Sequence, residues 1–346
     1  MPQIPTPELH QLIKTLLLAY DCDAAQAEIL SSVLSWNSQI NRPTQGAWRL
    51  PVLINRLQKG RITTPCQLNF EQKSPSLGLM DGNNGFGQYV SHHSMLKAIE
   101  LAETQGVGVV GVRNSNWNGS GAYYTQLAAE RGMIGISTSN SVPKVAPFGG
   151  NQAVFGTNPM AFGIPRRDGR SILLDMATAA SAGSSIKRAI EAGQQLPEGI
   201  AVDADGQPIT DPNEVKNGTV LPFGGAKGYG LSLMVEILSA VITGAGISHQ
   251  VASMHDDFDR NSNNGHLFIA LDIRRFMPLE QYYQRLEHLS DLIHAAGGKT
   301  NNIPALPGES RWKAYDKSQR EGISLDEHTC NALKNLAKNR NIPLPW

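Results

Sequence analysis

The sequence predicts an α/β protein built on a mixed β-sheet. Helical periodicity fills the N-terminal part, and from Val107 onward short apolar runs are separated by glycines. The run Gly106-Val107-Gly108-Val109-Val110-Gly111 has the spacing of a dinucleotide-binding turn. That turn requires a strand before the glycines and a helix after them. Here a predicted helix precedes the glycines and the predicted strand contains them, so the sequence favours a fold other than the Rossmann domain.

The N-terminal part is predicted to be helical. Thr6 is an expected N-cap ahead of a proline and a glutamate, and apolar residues follow at helical spacing. Asp23, with Gln26 three residues later, has the pattern of a capping box. The predicted helices cover about residues 7–19, 24–38 and 91–104.

Strands and helices alternate in the rest of the chain. The segment 181–220 is polar and rich in turn residues, so we expect it to cross the surface. The apolar helix at 229–244 carries Glu236 and is shorter than the roughly 20 residues of a membrane span, which predicts a buried helix. Ser324, with Glu327, predicts the cap of a last helix. Apolar runs predict strands at 107–112, 134–137, 161–164, 172–174 and 266–273, and further helices at 121–131 and 279–296.

The length predicts two or three lobes with soft boundaries. The chain has 346 residues and no low-complexity linker, at about 100 to 200 residues per domain. We expect an N-terminal helical lobe at 1–75 that packs with the C-terminal segment. An α/β core with the binding loops is expected at 76–220, and a buried helix, a strand and the C-terminal helices at 221–346.

The composition argues against several function classes. Thirty basic residues balance thirty acidic ones, which gives no electrostatic basis for binding nucleic acid or an acidic membrane. Three widely spaced cysteines indicate neither a disulfide framework nor a zinc site, and no histidine or carboxylate cluster has metal-ligand spacing. The sequence lacks a secretory-signal pattern and a Gly-x-Ser-x-Gly hydrolase turn. These observations predict a protein of a reducing, cytoplasmic compartment and give no signal of a metal site.

Four segments together carry a family resemblance. They are Arg113–Gly119 with Gly121 and Tyr123; Ala146–Gly150 with Gly156–Pro159; Leu174–Thr178; and Leu221–Gly230. In this order and spacing the chain resembles the type-2 malate/L-lactate dehydrogenase family, which includes ureidoglycolate and sulfolactate dehydrogenases, diketogulonate reductase and cyclic-imine reductases. The resemblance covers nearly the whole chain. It implies an NAD- or NADP-dependent oxidoreductase with a non-Rossmann α/β fold, acting as a homodimer with its site between lobes near the subunit interface.

The resemblance also implies which residues bind the dinucleotide. Lys227 lies among glycines at the start of a helix, where backbone N–H groups and a positive charge can meet a phosphate. From spacing alone, a solvated loop lysine fits the same pattern equally well. The expected cofactor-binding residues are Ser141, Asp175, Met176, Ala177, Ala226, Lys227, Gly308, Glu309 and Ser310.

Two residues are candidates for binding a substrate carboxylate. Arg49, in a segment similar to the family's Ser-His-Gly-x-x-Arg-Leu, can form two parallel hydrogen bonds to a carboxylate, and the apolar run after it indicates partial burial. The hydroxyl of Thr157 can donate to the same carboxylate or cap the turn before Pro159. Asp175 ends an apolar strand and needs a polar partner, either in the site or in a turn.

The sequence departs from the family where a proton donor is expected. Reduction of a 2-oxo acid leaves an alkoxide that takes up a proton, and histidine is the usual donor. Gln45 and Trp117 stand at the two positions where the family carries histidine. Neither side chain has an accessible proton-transfer equilibrium. The nine histidines of the chain lie on predicted helices, beside a polar loop, or on terminal or surface elements, so none is predicted to be catalytic.

Three explanations of this departure remain open. The substrate can be an iminium, which accepts hydride without an acid and whose cation a tryptophan face can hold. A ketone reductase can use another donor, such as Tyr123, Tyr124, Lys144 or a water held by Asp175. Alternatively, the protein has lost redox turnover and binds or transforms a ligand without net oxidation. The sequence favours reduction of a small 2-imino or 2-oxo acid, with Gln45, Trp117 and Asp175 as the candidate catalytic residues.

Overall fold

A computed structural model of the chain describes residues 3–297 and 303–346. Its strands are β1 (Gln3–Ile4), β2 (Asn69–Ser74), β3 (Leu77–Asp81), β4 (Val107–Ser115), β5 (Met133–Ser139), β6 (Met160–Ile164), β7 (Ile172–Met176), β8 (Ala201–Val202), β9 (Thr219–Val220), β10 (Asn264–Asp272) and β11 (Ile323–Ser324). Its α-helices are α1 (Thr6–Ala19), α2 (Ala24–Gln39), α3 (Leu50–Gln58), α4 (Gly87–Gln105), α5 (Gly121–Ala129), α6 (Gly183–Glu191), α7 (Ala226–Glu236), α8 (Leu279–Ala295), α9 (Glu309–Glu321) and α10 (Glu327–Lys338).

A seven-stranded mixed sheet forms the centre, which confirms the predicted fold class. Its strand order is β2-β3-β4-β10-β5-β6-β7; the β3–β4 pair is parallel and the others are antiparallel. In this register Ser115, Ser139, Met160, Met176 and Asn264 all lie at one end of the sheet. The loops that follow β4, β5 and β7 therefore emerge at the same end, and they carry the predicted site residues Trp117, Ser141, Thr157 and Ala177.

Helices cover both faces of this sheet. α4 and α5 pack on one face, and α7 with the π-helical turn Ile237–Val241 packs on the other. Glycine allows the close approach of α4, because a Cβ at Gly108 would lie 1.9 Å from the carbonyl oxygen of Ala98. Gly106 ends α4 in the left-handed region, and β4 follows directly. The rejection of a Rossmann turn at these glycines is thus confirmed.

A second core joins the two ends of the chain. The buried faces of α1, α2 and α3 pack against Ile323, Leu325 and residues of α10 such as Leu333. Strand β1 pairs with β11 beside this core. The division at residues 75 and 220 remains a prediction.

Several predicted element ends are wrong. Thr6 is the first residue of α1, with Pro5 at the N-cap. Asp23 does cap α2, but the Gln26 side chain donates to the carbonyl of Thr63 and forms no capping box. Asp326, not Ser324, caps α10, since its carboxylate accepts from the backbone N–H of Thr329. A cap depends on where the chain turns, which a short sequence pattern leaves open.

Segment 181–220 is mostly exposed, in agreement with the predicted surface crossing, but the helix α6 within it was not predicted, and neither were α3 and α9. The prediction of a fully buried helix at 229–244 is wrong. One face of α7 packs on the sheet through residues such as Val235 and Glu236, but the other face is exposed in the single chain. Within the described ranges, no helix is long and apolar enough to cross a membrane.

His266 is a buried polar link between strands. Its ring nitrogens lie 2.8 Å from Ser139 Oγ and 2.9 Å from Ser115 Oγ, and burial lowers its pKa to about 3. The histidine is therefore neutral in the native protein, and it orders the ends of β4 and β5 from which two site loops emerge. His266 follows the polar loop, as the sequence indicates, and its hydrogen bonds are those of a buried structural residue.

This histidine predicts a pH dependence of stability. As pH falls from the ordinary histidine pKa of 6.5 toward about 3, the unfolded chain binds a proton that native His266 excludes. The free energy of unfolding then decreases by roughly 1.4 kcal/mol per pH unit on account of this residue. In urea titrations between about pH 7.5 and about pH 4.5, His266→Gln is expected to show a shallower decrease than wild type.

His288→Gln, on the exposed surface of α8, controls for the loss of an imidazole as such. Equal slopes for His266→Gln and wild type would contradict the assignment of a neutral native His266.

Candidate functional site

Arg49 is the cationic centre of a first group of side chains. Its Nε donates to the carbonyl of Thr44 at 2.7 Å, and its guanidinium lies 4.5 Å from the ring of Trp48 and 5.0 Å from the ring of Trp117. In the part of the chain that the structure describes, no carboxylate forms an ion pair with it. Burial lowers the pKa of Arg49 to about 10. A desolvated cation without an acidic partner is suited to bind an anion.

Gln45 and Trp117 both belong to this group. Gln45 ends the short 3-10 turn before Arg49, where its Oε1 accepts from the Thr44 hydroxyl at 3.0 Å. Trp117 follows β4, and its ring packs against the N-terminal core as well as facing Arg49. The structure thus places both substituted positions beside the predicted carboxylate-binding arginine.

His255 is a member of the group that the sequence analysis missed. Its Nε2 lies 2.8 Å from Arg49 Nη1, although 206 positions separate the two residues. Burial and the charges of Arg49 and Lys144 lower its pKa. The loop that carries it is held by the buried Arg56, whose Nη1 donates to the carbonyls of Ser253 at 3.3 Å and Asp257 at 2.8 Å. No short motif surrounds His255, so only the fold reveals it.

A second group forms at the same end of the sheet around Ser141 and Thr157. Ser141 Oγ accepts from the backbone N–H of Thr157 at 2.9 Å and lies 3.3 Å from its hydroxyl. The carbonyl of Thr157 accepts from the backbone N–H of Thr178 at 2.8 Å. These bonds bring the loops after β5, before β6 and after β7 together. The Thr157 hydroxyl already has a partner, and its predicted contact with substrate stays a prediction.

Asp175 joins the second group to the loop that carries Trp117. Its carboxylate accepts from the hydroxyl of Ser120 and from the backbone N–H of Ala122 at 3.2 Å. Arg311 lies 3.8 Å from the same carboxylate and donates to the Asp175 carbonyl at 3.1 Å. The Asp175 carboxylate therefore already has hydrogen-bond and charge partners. These contacts suit a residue that orders the loop equally well as one that binds a ligand. Arg311 was not predicted because it lies just after the predicted cofactor-binding turn Gly308–Ser310.

The start of α7 lies beside the loop after β7. The backbone N–H of Phe223 donates to the carbonyl of Thr178 at 3.1 Å, and Gly225 precedes the helix with φ 63°. Among the residues that the structure describes, none caps this helix start with its side chain, and Lys227 in the first turn is exposed. Free backbone N–H groups, an open glycine surface and a lysine are the features that a dinucleotide phosphate needs. Met176, Ala177 and Ala226 lie in the same two segments, so the residues present fit the implied cofactor.

The turn Gly308–Ser310 approaches the sheet from the C-terminal part of the chain. The backbone N–H of Leu173 donates to the carbonyl of Pro307 at 2.9 Å, and a Cβ at Gly308 would lie 2.8 Å from the Leu173 nitrogen. Glu309 Oε1 lies 2.8 Å from His294 Nε2, whereas Ser310 is exposed. This turn begins α9, which places Arg311 against Asp175.

Glu236 holds the residues next to the second group in place through hydrogen bonds. Its Oε2 accepts from Asn158 Nδ2 at 2.7 Å, and its Oε1 accepts from Asn140 Nδ2 at 3.3 Å and from the backbone N–H of Ser248 at 3.1 Å. The two asparagines directly flank Ser141 and Thr157 in sequence. The acidic residue inside an apolar helix thus anchors both ends of the β5–β6 loop, a role that its sequence context did not predict.

The tyrosines proposed as alternative donors are poorly placed for proton transfer. Tyr124 is fully buried, its hydroxyl donates to the carbonyl of Asn118, and burial raises its pKa well above the usual range. Tyr123 packs edge-on against Trp36, and burial raises its pKa to about 12. Lys144 lies close enough to His255 to affect its charge, so it belongs to the first group.

The fold thus brings two groups of side chains to the loops at one end of a mixed sheet: the first contains Arg49, which has no ion pair among the described residues, and the second adjoins the start of α7. A sequence model of the malate/L-lactate dehydrogenase family matches residues 4–334. The chain therefore belongs to the malate/L-lactate dehydrogenase family, and its relatives are oxidoreductases of small carboxylic acids.

Individual relatives match over almost their whole length. A malate/(S)-sulfolactate dehydrogenase of Methanothermus fervidus is 35% identical over 99% of both chains. A Δ1-pyrroline-2-carboxylate/Δ1-piperideine-2-carboxylate reductase of Pseudomonas putida is 30% identical over 96% of both chains. The solved structure of sulfolactate dehydrogenase from Methanocaldococcus jannaschii superposes with a TM-score of 0.92 at 34% identity, covering 99% of this chain and 98% of that one.

Proposed function

We propose that the protein is an NAD(P)H-dependent reductase that transfers hydride to a small 2-imino or 2-oxo carboxylic acid. The observation that carries the proposal is Arg49, a desolvated guanidinium between two tryptophans that lacks an acidic partner among the described residues. A planar guanidinium binds a carboxylate through two parallel hydrogen bonds. The substrate would thus be held by its carboxylate, with its reacting carbon beside Trp117 and Gln45. Thr157 is proposed as a second donor to the carboxylate.

We assign dinucleotide binding to the second group and to the start of α7. Lys227 and the start of α7 would bind a phosphate, and Ser141 with the Asp175–Ala177 segment and the Gly308–Ser310 turn would contact the rest of the dinucleotide. A reduced nicotinamide supplies hydride when bound. Asp175, held by Ser120 and Arg311, keeps a polar contact near the reacting end.

Both imine and ketone substrates fit the first group. The faces of Trp48 and Trp117 favour a cation, which suits an iminium that accepts hydride without an acid. The relationship to a cyclic-imine carboxylate reductase supports this substrate class, and the relationship to sulfolactate and malate dehydrogenases supports a 2-oxo acid.

A substrate screen tests the proposal. The purified protein is mixed with NADH or NADPH and cyclic imine carboxylates or 2-oxo acids, and the loss of reduced-cofactor absorbance is followed. Oxidation of the cofactor with at least one carboxylate, and none with the matched carboxamides, is the expected result. Silence with every carboxylate and in the reverse direction would overturn it.

The second candidate is a cofactor-binding protein without redox turnover. The observation that favours it is the absence of histidine at both Gln45 and Trp117. It predicts nicotinamide binding, measured by fluorescence, together with silence in the substrate screen.

Lys227 offers a test of the proposed cofactor site. Lys227→Met is expected to raise the Kd for NAD(P)H about tenfold, because it removes an exposed charge-assisted contact worth roughly 1.4 kcal/mol. Fluorescence titration of the reduced cofactor measures this Kd. Lys216→Met, also exposed, controls for the loss of one surface charge, and equal Kd values for all three proteins would contradict the assignment.

We also propose that the protein is a homodimer. The outer face of α7 and the π-helical turn exposes an apolar row, with Val241 53% and Ile242 60% exposed in the single chain. Its other members are Leu231, Met234 and Leu238. Contiguous apolar patches of this kind mark association surfaces, and a second copy would cover them. A cytoplasmic location is proposed as well, since three free, buried cysteines suit a reducing compartment.

Sedimentation velocity tests the dimer. Wild type is expected at twice the chain mass, and Val241→Asp is expected to weaken the dimer at least about tenfold, because burial of an unpaired carboxylate costs several kcal/mol. Leu292→Asp, on the exposed face of α8, is the matched control. A monomeric wild type at micromolar concentration would contradict the proposal.

A further inference from the structure

The contact between Arg49 and His255 fixes the state of the imidazole. Arg49 Nη1 lies 2.8 Å from His255 Nε2, and a guanidinium has only donors to offer. His255 Nε2 therefore accepts, the ring is neutral, and its proton is on Nδ1. The neutral imidazole thus accepts an Arg49 N–H that, in the proposed function, a substrate carboxylate would accept.

The charges around His255 come from several elements. Arg49 faces it from just before α3, Arg56 from the last turn of α3 and Lys144 from the loop after β5, and Asp256 follows it in its own loop. The positive charges outnumber the negative one, and with burial they lower the pKa of His255. A bound carboxylate at Arg49 would reverse this balance by adding a negative charge and removing the guanidinium N–H from Nε2.

We propose that His255 is the acid/base residue of this enzyme, and that it takes up its proton when the substrate carboxylate binds Arg49. The inference rests on the proposed function. His255 would supply the transferable proton that Gln45 and Trp117 cannot. It lies in the loop before β10, away from the two positions where the family carries histidine.

The reductive step then balances within the site. A reduced nicotinamide, when bound, would supply the hydride for a new C–H bond at the carbonyl carbon and would itself become oxidised. The electron pair of the C=O π bond moves to oxygen, and this oxygen takes the proton from His255 Nε2. The imidazole returns to its neutral form, ready to accept the Arg49 N–H when the hydroxy acid leaves. In the reverse reaction neutral Nε2 accepts the hydroxyl proton.

The loop that carries His255 is built rigidly enough for this role. Arg56, 1% exposed, donates to two carbonyls of the loop, and Ser253 Oγ accepts from the His255 N–H at 3.2 Å while donating to Asp256 at 2.9 Å. The imidazole itself is exposed in the single chain and so can exchange its proton with solvent between turnovers.

The first experiment needs no turnover. Oxamate, a non-reactive analogue of a 2-oxo acid, is titrated into the protein with NADH or NADPH bound, by calorimetry at about pH 7.5 in buffers of different ionisation enthalpy. Uptake of about one proton per site is expected for wild type and close to none for His255→Gln. Oxamate binding with equal uptake in both proteins, or with none in wild type, would overturn the inference alone. Absence of oxamate binding would overturn the proposed anion site and the inference together.

The second experiment compares two substrate classes. With a 2-oxo acid, His255→Gln is expected to lower kcat about 10²–10⁴-fold with little change in KM, and to remove the pH dependence that wild type shows. With an iminium substrate, which needs no acid, the loss is expected to stay below about tenfold. His249→Gln, an exposed histidine outside the group, serves as the matched control. Wild-type kcat and pH profile in His255→Gln would overturn the inference while leaving the proposed function intact.

Discussion

Replacement of Arg49 by leucine is expected to lower kcat/KM for the carboxylate substrate by about 10²–10³-fold. Loss of one partner from a desolvated, hydrogen-bonded charge pair costs about 3–4 kcal/mol, and each 1.4 kcal/mol is tenfold. The substrate carboxylate would then face two tryptophans without the guanidinium that lies between them. The measurement is steady-state kinetics of wild type and variant with the substrate found by the screen.

Two further variants sharpen this test. Arg49→Lys keeps the charge without the two parallel donors, so its kcat/KM is expected to lie between those of wild type and Arg49→Leu. Arg285→Leu, exposed on α8, controls for the loss of a surface arginine. Wild-type kinetics in Arg49→Leu would show that the carboxylate binds elsewhere.

The local parts of the fold could be predicted because their causes are local. Apolar runs gave strands β4, β5, β6, β7 and β10 close to their observed bounds, and the order of helix and strand around Gly106 was enough to reject a Rossmann turn. The ends of helices were less predictable. Thr6 and Ser324 resemble caps, yet Pro5 and Asp326 occupy those positions because chain direction, set by packing, decides which residue precedes the first turn.

The candidate site was predictable only in part, because its contacts join distant segments. The glycine-rich segment around Lys227 and the Asp175 loop have sequence patterns, and the structure places them side by side. The Arg49–His255 contact has none, since a loop 206 residues away must fold over α3 to make it. The burial of α7 was also beyond sequence reasoning, because a helix that is apolar on both sides does not reveal whether its second face meets its own chain.

Removal of the Glu236 carboxylate is expected to cause a large loss of stability. Glu236→Ala would leave one amide N–H of Asn140, one of Asn158 and the backbone N–H of Ser248 without an acceptor, although the two amides keep their bonds to the carbonyls of Gly246 and Ser232. Breaking such a buried polar network costs about 3–5 kcal/mol in the free energy of unfolding. Urea denaturation of wild type and variant, compared at equal slope, measures the loss.

The same variant is expected to weaken dinucleotide binding. Asn158, which Glu236 holds, accepts with its Oδ1 from the backbone N–H of Ser141 at 3.3 Å, so loss of Glu236 would also release Ser141. Glu236→Gln keeps the shape and one acceptor oxygen, but its amide would face a donor, so an intermediate loss of stability is expected. Glu100→Ala, which removes only an exposed ion pair with Lys97, should cost less than about 1 kcal/mol. If Glu236→Ala unfolds at the same urea concentration as Glu100→Ala, the carboxylate is not the anchor of these loops, and their geometry must come from the strand ends and the bonds between Ser141, Thr157 and Thr178.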